Sequence, residues 1–253
     1  MKVVILCGGL GTRAYPYTRR IPKALIPVAG RPIVEQVMRI YADQGFDEFV
    51  LSVGYLWQDI ARYFEARPRW NAEIVHTGDT TDTGGRVRNC LDHVGPHFHA
   101  TYCDGLGDVD LQALTRAHLE RGGATMTTVQ LRSQYGIVLS DAEERIVGFQ
   151  EKPVLPDHWI NAGFFVFERS VFAATPGENL ERDILPALAG HRALHVHRHR
   201  GFWRSMDTFK DQQELDELWM PHSSSLVLRL GDDDPEGVPE WLSERYQLVA
   251  EGI

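Results

Sequence analysis

Apolar runs alternate with amphipathic stretches through the N-terminal part of the chain. Residues 2–7 form a run typical of a strand that is buried on both faces of a parallel sheet, and glycines follow at once. Apolar side chains recur at helical spacing over residues 31–44, which predicts a helix. The alternation continues as predicted strands at 49–53, 73–76 and 99–103 and as predicted helices at 57–64 and 82–93. It indicates right-handed βαβ crossovers and an open parallel sheet.

Beyond residue 123 the pattern becomes richer in strands. Strand-like segments at 124–131, 136–139, 146–150 and 163–168 are separated by turns. Because no linker rich in Pro, Gly or Ser divides residues 1–220, we predict one α/β domain over residues 1–221, with a mostly parallel, mixed sheet flanked by helices. We assign residues 222–253 to a Ser-rich linker and an acidic C-terminal tail, with a short helix at 241–248.

The composition is that of a soluble globular protein. The chain has 253 residues, 43% of them hydrophobic and 24% charged, and a formal net charge of −9. No apolar run approaches the roughly 20 residues that span a bilayer, and the apolar start is too short for a signal peptide. We therefore expect a cytoplasmic protein without a membrane partner.

Charge is distributed unevenly along the chain. Six basic residues precede Glu35 and no acidic residue does, whereas the remainder of the chain is acidic. Nucleic acid is a disfavoured partner, because backbone binding requires an extended basic face. The N-terminal cations instead predict a site for a small anion such as a phosphate.

The residues Gly9-Leu10-Gly11-Thr12-Arg13-Ala14 satisfy the G-x-G-x-x-[GA] pattern of dinucleotide-binding loops. Such a loop opens directly into a helix, but Pro16, Pro22 and Pro27 exclude that helix. A Walker A loop is excluded as well, because Lys23 follows a proline. What remains is a proline-held loop whose Arg and Lys side chains can bind phosphate oxygens. The alternative is a surface loop whose cations are simply solvated.

The glycine loop is the first of several motifs along the chain. They are Gly8-Gly9-Leu10-Gly11-Thr12-Arg13, Pro22-Lys23, Asp104-Gly105, Glu151-Lys152-Pro153, Asn161-x-Gly163 and Met206-Asp207-Thr208. In this order they resemble the signature of the sugar-1-phosphate nucleotidyltransferases, over about residues 1–219. Two further motifs, Thr83-Gly84-Gly85-Arg86 and Phe202-Trp203, are most similar to the glucose-1-phosphate cytidylyltransferase branch. The resemblance implies a Rossmann-like, GT-A-like fold and transfer of a nucleotidyl group from an NTP to a sugar 1-phosphate.

The implied reaction joins two polyanions, so cations should carry the catalysis. The resemblance implies that Asp104 and Asp207 hold Mg²⁺, which prefers carboxylate and other oxygen ligands. It implies that Arg13 holds the triphosphate and that Lys23 bridges the phosphates of both substrates, and we expect all four residues to be catalytic. The alternative for Asp104 is a turn residue, because Asp-Gly is a common turn pair.

The same resemblance implies two further groups of binding residues. For the nucleotide we expect Leu10, Gly11, Thr12, Arg13, Gly84 and Gly85, where glycine lets main-chain groups reach a pyrimidine edge. For the sugar phosphate we expect Gly136, Glu151, Lys152, Asn161, Glu181 and Trp203. Lys152 would bind the phosphate, and Glu151 would accept hydrogen bonds from sugar hydroxyls. Glu181 has an alternative explanation as an acid that the helix dipole favours at a helix start.

We therefore predict a Mg²⁺-dependent enzyme that uses CTP and α-D-glucose 1-phosphate, releases pyrophosphate and forms a homo-oligomer. Within the same class, the alternatives are UTP, dTTP or GTP with another sugar phosphate or phosphorylated acceptor. Outside the class, the alternative is a non-catalytic NDP-sugar or nucleotide sensor. Sensing alone would not require both carboxylates, which favours the enzyme.

Overall fold

Strands and helices alternate as far as residue 121, and strands are more frequent after it. The computed structural model describes residues 1–219 and 238–250. Its strands are β1 (Val3–Leu6), β2 (Pro27–Val28), β3 (Arg31–Pro32), β4 (Glu48–Val53), β5 (Asn71–His76), β6 (His97–Tyr102), β7 (Gly105–Gly107), β8 (Ala124–Arg132), β9 (Ile137–Ser140), β10 (Ile146–Gln150), β11 (Val154–Glu168), β12 (Leu194–Arg198) and β13 (Trp203–Ser205). Its α-helices are α1 (Ile33–Ala42), α2 (Trp57–Glu65), α3 (Thr83–Asn89), α4 (Leu111–Arg121), α5 (Ser170–Ala174), α6 (Leu185–Gly190), α7 (Phe209–Trp219) and α8 (Glu240–Ala250). Short 3₁₀ helices lie at Thr12–Ala14, Tyr17–Arg19, Lys23–Leu25 and Leu91–His93, and a π-helix lies at Leu180–Ile184.

A mixed sheet forms the centre of the described molecule, with strands in the order β12-β8-β11-β6-β1-β4-β5. Neighbouring strands pair in parallel except at β11, which is antiparallel to both β6 and β8. The predicted mostly parallel, mixed α/β sheet is confirmed. One apolar core packs α1, α2 and α8 on one face of the sheet, and a second core packs α3, α5 and α6 on the other. The sheet is therefore the middle of three layers.

Strand β1 lies where the direction of the chain across the sheet reverses. The chain passes from β1 to β4 and β5 on one side, and later places β6 on the other side of β1. Leu6 and Tyr102 end β1 and β6 in register, so the loops after both strands open at one edge of the sheet. In open α/β sheets this crevice is where ligands bind. The fold thus places the glycine loop beside Asp104.

The predicted elements of the N-terminal part are confirmed with shifted ends. The helix expected over 31–44 begins at Ile33, because Pro32 holds an extended backbone immediately before it. The helix expected over 82–93 divides into α3 and a 3₁₀ turn. The strand expected from 163 begins at Val154 and contains two register shifts against β8. Helix α4 has no counterpart in the sequence prediction.

The predicted linker at residues 221–225 lies outside the described residues, and the division at residues 221 and 222 stays a prediction. The predicted short helix at 241–248 is confirmed as α8. Leu242 and Val249 of α8 are buried in the core that also contains α1, and Tyr246 stacks on Tyr17 at a centroid distance of 5.0 Å. In the described part of the chain, no helix combines the length and the apolar character that crossing a bilayer requires.

A buried arginine ties the ends of three parallel strands together. The Arg86 guanidinium, on α3, donates to Gly8 O after β1 at 2.8 Å and to Thr77 Oγ1 after β5 at 2.9 Å. A longer contact of 3.4 Å reaches Val53 O at the end of β4. Burial lowers the pKa of this guanidinium, and no carboxylate of the described residues lies within ion-pair distance of it. Because a Cβ on Gly8 would lie 1.8 Å from Arg86 Nη1, the missing side chain at Gly8 makes room for this clamp.

We expect Arg86→Met to lower the free energy of unfolding by about 2 kcal/mol or more, because it removes the buried hydrogen bonds from a charged donor to Gly8 O and Thr77 Oγ1. Urea denaturation followed by circular dichroism measures this change. The matched control is Arg116→Met on the exposed side of α4, which should stay within about 0.5 kcal/mol of the parent. Equal stability of the two variants would show that Arg86 is not a clamp.

We expect Leu242→Ala to cost about 2–5 kcal/mol of unfolding free energy, because Leu242 is fully buried and the substitution opens a cavity. The same denaturation experiment measures it, with Leu119→Ala on α4 as the control, since Leu119 is 55% exposed. A small effect at Leu242 would contradict the packing of α8 onto the body of the protein.

Candidate active site

Two aspartates that are far apart in sequence meet at the ligand edge of the sheet. Asp104 follows β6 and precedes β7, and β7 pairs with β13 in antiparallel register. This pairing brings the chain after β13 back, so that Met206 N donates to Asp104 O at 2.9 Å. Asp207 N in turn donates to Asp211 Oδ2 at 3.0 Å, which fixes the turn into α7. The two carboxylates are partly exposed, at 19% for Asp104 and 26% for Asp207.

Lys23 lies between these carboxylates. Its Nζ is 2.5 Å from Asp104 Oδ2 and 3.0 Å from Asp207 Oδ1, and its side chain is only 12% exposed. Burial acts to lower the pKa of Lys23, but the charges of Asp104 and then Asp207 outweigh it, so that the pKa rises above its ordinary value. The ammonium group therefore stays protonated at neutral pH and places one positive charge between the two carboxylates.

The glycine loop adds a second cation to this cluster. Arg13 Nη2 lies 3.0 Å from Asp207 Oδ1, while 73% of the Arg13 side chain remains exposed to solvent. Gly11 has a φ of 61°, and a Cβ there would lie 2.7 Å from Thr18 Cγ2, so the tight start of the loop requires glycine. Thr18 Oγ1 donates to Gly11 O at 3.0 Å and holds the loop from the inside. Leu10 is 54% exposed at the open side of the same loop.

The carboxylate pair fits a magnesium site better than a site for a softer metal. Among residues 1–219 and 238–250, no group of three or more His, Cys, Asp and Glu side chains could hold a metal ion. Asp104 and Asp207 converge on one cation, Lys23 Nζ, from two directions. Mg²⁺ is commonly bound by one or two carboxylates, with water and substrate phosphates completing its coordination. The two converging carboxylates, with Lys23 and Arg13 beside them, match that donor set.

A polar network lies beside the carboxylates at the end of β6. Tyr102 OH donates to Glu181 Oε1, and Thr83 Oγ1 donates to Glu181 Oε2 at 2.7 Å. Burial, and then the Glu181 charge, raise the pKa of Tyr102, so its phenol stays a donor. Asn161 Nδ2 donates to Tyr102 OH at 3.3 Å, and Asn161 Oδ1 accepts from Gly163 N at 2.8 Å. These groups connect Glu181 and Asn161, both expected at the sugar phosphate, in one chain of hydrogen bonds.

The remaining residues expected at the sugar phosphate lie at the base of the β9–β10 hairpin and on β13. Gly136 precedes β9, and a Cβ there would lie 2.5 Å from the Phe149 ring. Glu151 and Lys152 follow β10 and are exposed. Trp203 Nε1 donates to Ala162 O at 2.8 Å. Within the described residues, no hydrogen bond or ion pair joins Glu151 or Lys152 to the carboxylate cluster, so the chain alone does not bring these two groups into contact.

Gly84 and Gly85 lie in the first turn of α3 and pack against the segment before the π-helix. A Cβ on Gly84 would lie 2.6 Å from Ile184 Cδ1, and Gly85 N donates to Glu178 O at 3.0 Å. Both glycines are buried. Close helix packing therefore accounts for their lack of side chains, and their contact with a base stays a prediction. Thr12, in the 3₁₀ turn beside Arg13, is exposed at the entrance of the glycine loop.

Sequence reasoning missed two residues that shape this site. A sequence motif contains Arg86 but does not indicate that Arg86 ties the strand ends together, and no motif contains Tyr102. The available signal for Tyr102 is its place at the end of a buried strand, two residues before Asp104, where side chains reach the ligand edge.

Comparison with known proteins agrees with this geometry. The sequence profile of the nucleotidyl transferase family matches residues 2–214. A probable glucose-1-phosphate cytidylyltransferase from Bacillus subtilis is 35% identical over 246 residues, which cover 87% of this chain and 96% of the relative. The glucose-1-phosphate cytidylyltransferase of Salmonella typhimurium is 34% identical over 247 residues, with the same coverage of both chains.

The structure is also similar to solved nucleotidyltransferase structures. A crystal structure of a putative glucose-1-phosphate thymidylyltransferase from Bacillus anthracis superposes with a TM-score of 0.70 at 20% identity, covering 89% of this chain and 96% of that one. At this identity the likeness concerns the fold, and it matches the predicted nucleotidyltransferase architecture. The family match and the curated relatives lead to one conclusion: the chain belongs to the nucleotidyl transferase family and is a sugar-1-phosphate nucleotidyltransferase.

Proposed function

We propose that this enzyme transfers the cytidylyl group of CTP to α-D-glucose 1-phosphate and releases pyrophosphate. The observation that supports this most strongly is the convergence of Arg13, Lys23, Asp104 and Asp207 at the crevice beside β1. The choice of CTP and glucose rests on the relatives from Bacillus subtilis and Salmonella typhimurium, which are named for that reaction.

The chemistry requires positioning and charge neutralisation more than proton transfer. A phosphate monoester has a second pKa of about 6, so the attacking oxygen of the sugar 1-phosphate is already ionised at neutral pH. That oxygen forms a bond to the α-phosphorus of CTP while the bond to the β-phosphate oxygen breaks, and pyrophosphate leaves with the electron pair. No general base is required. The protein has to hold two polyanions in line and stabilise the charge on the leaving group.

The cations of the cluster suit that task. Arg13, which is largely exposed, can turn its fork of donors to the β- and γ-phosphates and stabilise the leaving pyrophosphate. Lys23 reaches the crevice from the buried side and bridges the α-phosphate and the sugar phosphate. Leu10, Gly11 and Thr12 supply the main-chain wall of the glycine loop against the nucleotide.

Asp104 and Asp207 would hold Mg²⁺, in keeping with the general use of a divalent metal ion in this family. When bound, Mg²⁺ neutralises phosphate charge and orients the phosphoryl oxygens. Lys23, now held by both carboxylates, would then be released in part to contact phosphate oxygens.

A second group of residues would bind the sugar 1-phosphate. Lys152 would bind the sugar phosphate, and Glu151, Asn161 and Glu181 would accept hydrogen bonds from the sugar hydroxyls. The Gly136 main chain and the half-buried Trp203 would line the same pocket, whereas Gly84 and Gly85 would face the base. We also propose a homo-oligomer.

The decisive experiment measures pyrophosphate release for CTP, UTP, dTTP, GTP and ATP, each with several sugar 1-phosphates and Mg²⁺. Among the 1-phosphates of uncharged sugars, we expect CTP with glucose 1-phosphate to give the highest kcat/KM, at least about tenfold above UTP. Cytosine and uracil exchange a donor for an acceptor, and an unpaired buried group costs about 1–3 kcal/mol. Reactions without sugar phosphate are the control for NTP hydrolysis. A different best pair would replace the proposed substrates, and no release from any pair would favour a nucleotide sensor.

Replacement of either metal-binding aspartate tests the catalytic cluster. We expect Asp104→Asn and Asp207→Asn to lower kcat by roughly 10²-fold or more, because each removes a negative ligand of the metal. Steady-state kinetics over a range of Mg²⁺ concentrations checks this, and circular dichroism checks that the variants fold. Asp47→Asn, at an exposed aspartate with no hydrogen bond or ion pair in the described part of the chain, is the matched control. Turnover near the parent rate in both variants would remove the metal assignment.

A further inference from the structure

An indole ring in the N-terminal half of β11 is flanked by two arginines. Arg198 Cζ lies 5.0 Å and Arg200 Cζ 5.3 Å from the centre of the Trp159 ring. Both arginines are exposed, and Trp159 is half-buried. Across residues 1–219 and 238–250, no carboxylate lies within ion-pair distance of either guanidinium, although Asp157 is only two residues before Trp159. Two like charges are thus gathered on one ring without a partner of opposite charge.

The molecule contains a second arginine pair on a tryptophan, which serves as an internal comparison. Arg62 Cζ lies 4.6 Å and Arg245 Cζ 5.3 Å from the centre of the Trp241 ring. In that cluster Arg245 Nη1 is 2.5 Å from Asp59 Oδ2, so the chain supplies an anion of its own. The cluster on Trp159 has the same cations and the same ring, but its anion is missing from the described chain.

The Trp159 cluster lies on the same face of the sheet as Asn161. Thr128 of β8 is opposite Asn161 on β11 and opposite Arg198 on β12, so these three side chains form one row across the sheet. Neighbouring strands are about 4.8 Å apart, so the row spans about 10 Å, and Trp159 is about 7 Å from Asn161 along β11. A pyranose ring with its substituents bridges such distances.

An unsatisfied hydroxyl lies in the middle of that row. Thr128 is 5% exposed, and its Oγ1 is buried without a hydrogen-bond partner. Buried polar groups are normally paired, so a lone hydroxyl at this position indicates a place where a further polar group belongs. It stands between the asparagine expected at the sugar and the unpaired Arg198.

A further cation lies on the same face. Thr128, Gln130 and Arg132 alternate along β8, so their side chains share one side of the sheet. Arg132 Nη1 donates to Lys152 O at 3.3 Å, which connects this strand to the residue expected at the sugar phosphate. This side of β8 therefore connects Thr128, which is in register with Arg198, to the segment that contains Lys152.

We propose that Arg198 and Arg200, beside Trp159, bind a second negatively charged group on the acceptor, on the side of the sugar ring remote from its 1-phosphate. The preferred acceptor is then a derivative of glucose 1-phosphate that carries a carboxylate or a second phosphate. This proposal rests on the proposed function, because it places the acceptor at Asn161. Guanidinium groups suit both anions, since their donors match two oxygens at once. The Thr128 hydroxyl would donate to the same substituent.

The test compares kcat/KM at saturating NTP for glucose 1-phosphate, glucuronic acid 1-phosphate and glucose 1,6-bisphosphate. We expect at least one of the two acceptors that carry a second anionic group to exceed glucose 1-phosphate by about tenfold or more, as charge-assisted hydrogen bonds would give. Preference for the uronic acid or for the bisphosphate identifies the carboxylate or the phosphate as the bound group. Added salt should reduce the preference, because exposed charges are screened.

The double variant Arg198→Gln/Arg200→Gln should lower the ratio of kcat/KM between the preferred acceptor and glucose 1-phosphate by about tenfold, mainly through KM, and leave the KM for NTP as it is. Arg198→Lys/Arg200→Lys, which keeps the charge but loses the fork, should restore part of the ratio. Arg116→Gln, at an exposed arginine of α4, should leave it unchanged.

Equal kcat/KM for the three acceptors, or an equal loss for all three in the double variant, would overturn the proposal while the proposed transfer reaction stands. Absence of pyrophosphate release with every acceptor and every NTP would overturn the proposed function, and this proposal with it.

Discussion

The ammonium group of Lys23, held between the carboxylates of Asp104 and Asp207, is the interaction to which the rest of the site is fitted. Two carboxylates this close repel each other unless a cation lies between them. They are 81 and 184 residues away from Lys23 along the chain, so the glycine loop, the end of β6 and the β7–β13 pair must all be in place before the cluster exists. The ion pairs of this crevice therefore form only when the chain is folded.

The glycine loop is fixed at both ends and in the middle, while the side chain of Arg13 keeps most of its surface exposed. Arg86 holds Gly8 O at its start, Thr18 holds Gly11 O within it, and Lys23 ends it at the carboxylates. Arg13 contacts Asp207 yet remains largely exposed. A loop that is already ordered loses little entropy when a triphosphate binds, so more of the binding energy remains for orienting the phosphates.

The sequence predicts the parts of this arrangement that depend on local pattern. Continuous apolar runs identify β1, β4 and β6, because strands of a parallel sheet are buried on both faces. Helix α4 escaped prediction because few of its residues are buried, although Asp110 and Gly122 mark its ends. Contacts that depend on register, such as the row through Thr128, follow from two successive strand pairings, one of which contains register shifts. No spacing in the sequence specifies those shifts, and the same holds for the hydrogen bond between Tyr102 and Glu181.

Because this chain has an excess of acidic residues, an arginine that has no carboxylate partner is informative about binding. With 35 acidic residues against 26 of Lys and Arg, a carboxylate is available to neutralise an arginine that needs one for stability, as Asp59 does for Arg245. Arg198 ends β12, which runs parallel to β8 toward the ligand edge, and it has no such partner in the described chain. Unneutralised cations gathered on one ring repel each other, and this repulsion is relieved when an anion binds between them. The same reasoning that relates Lys23 to its two carboxylates therefore relates the Trp159 cluster to an anion that the described residues do not supply.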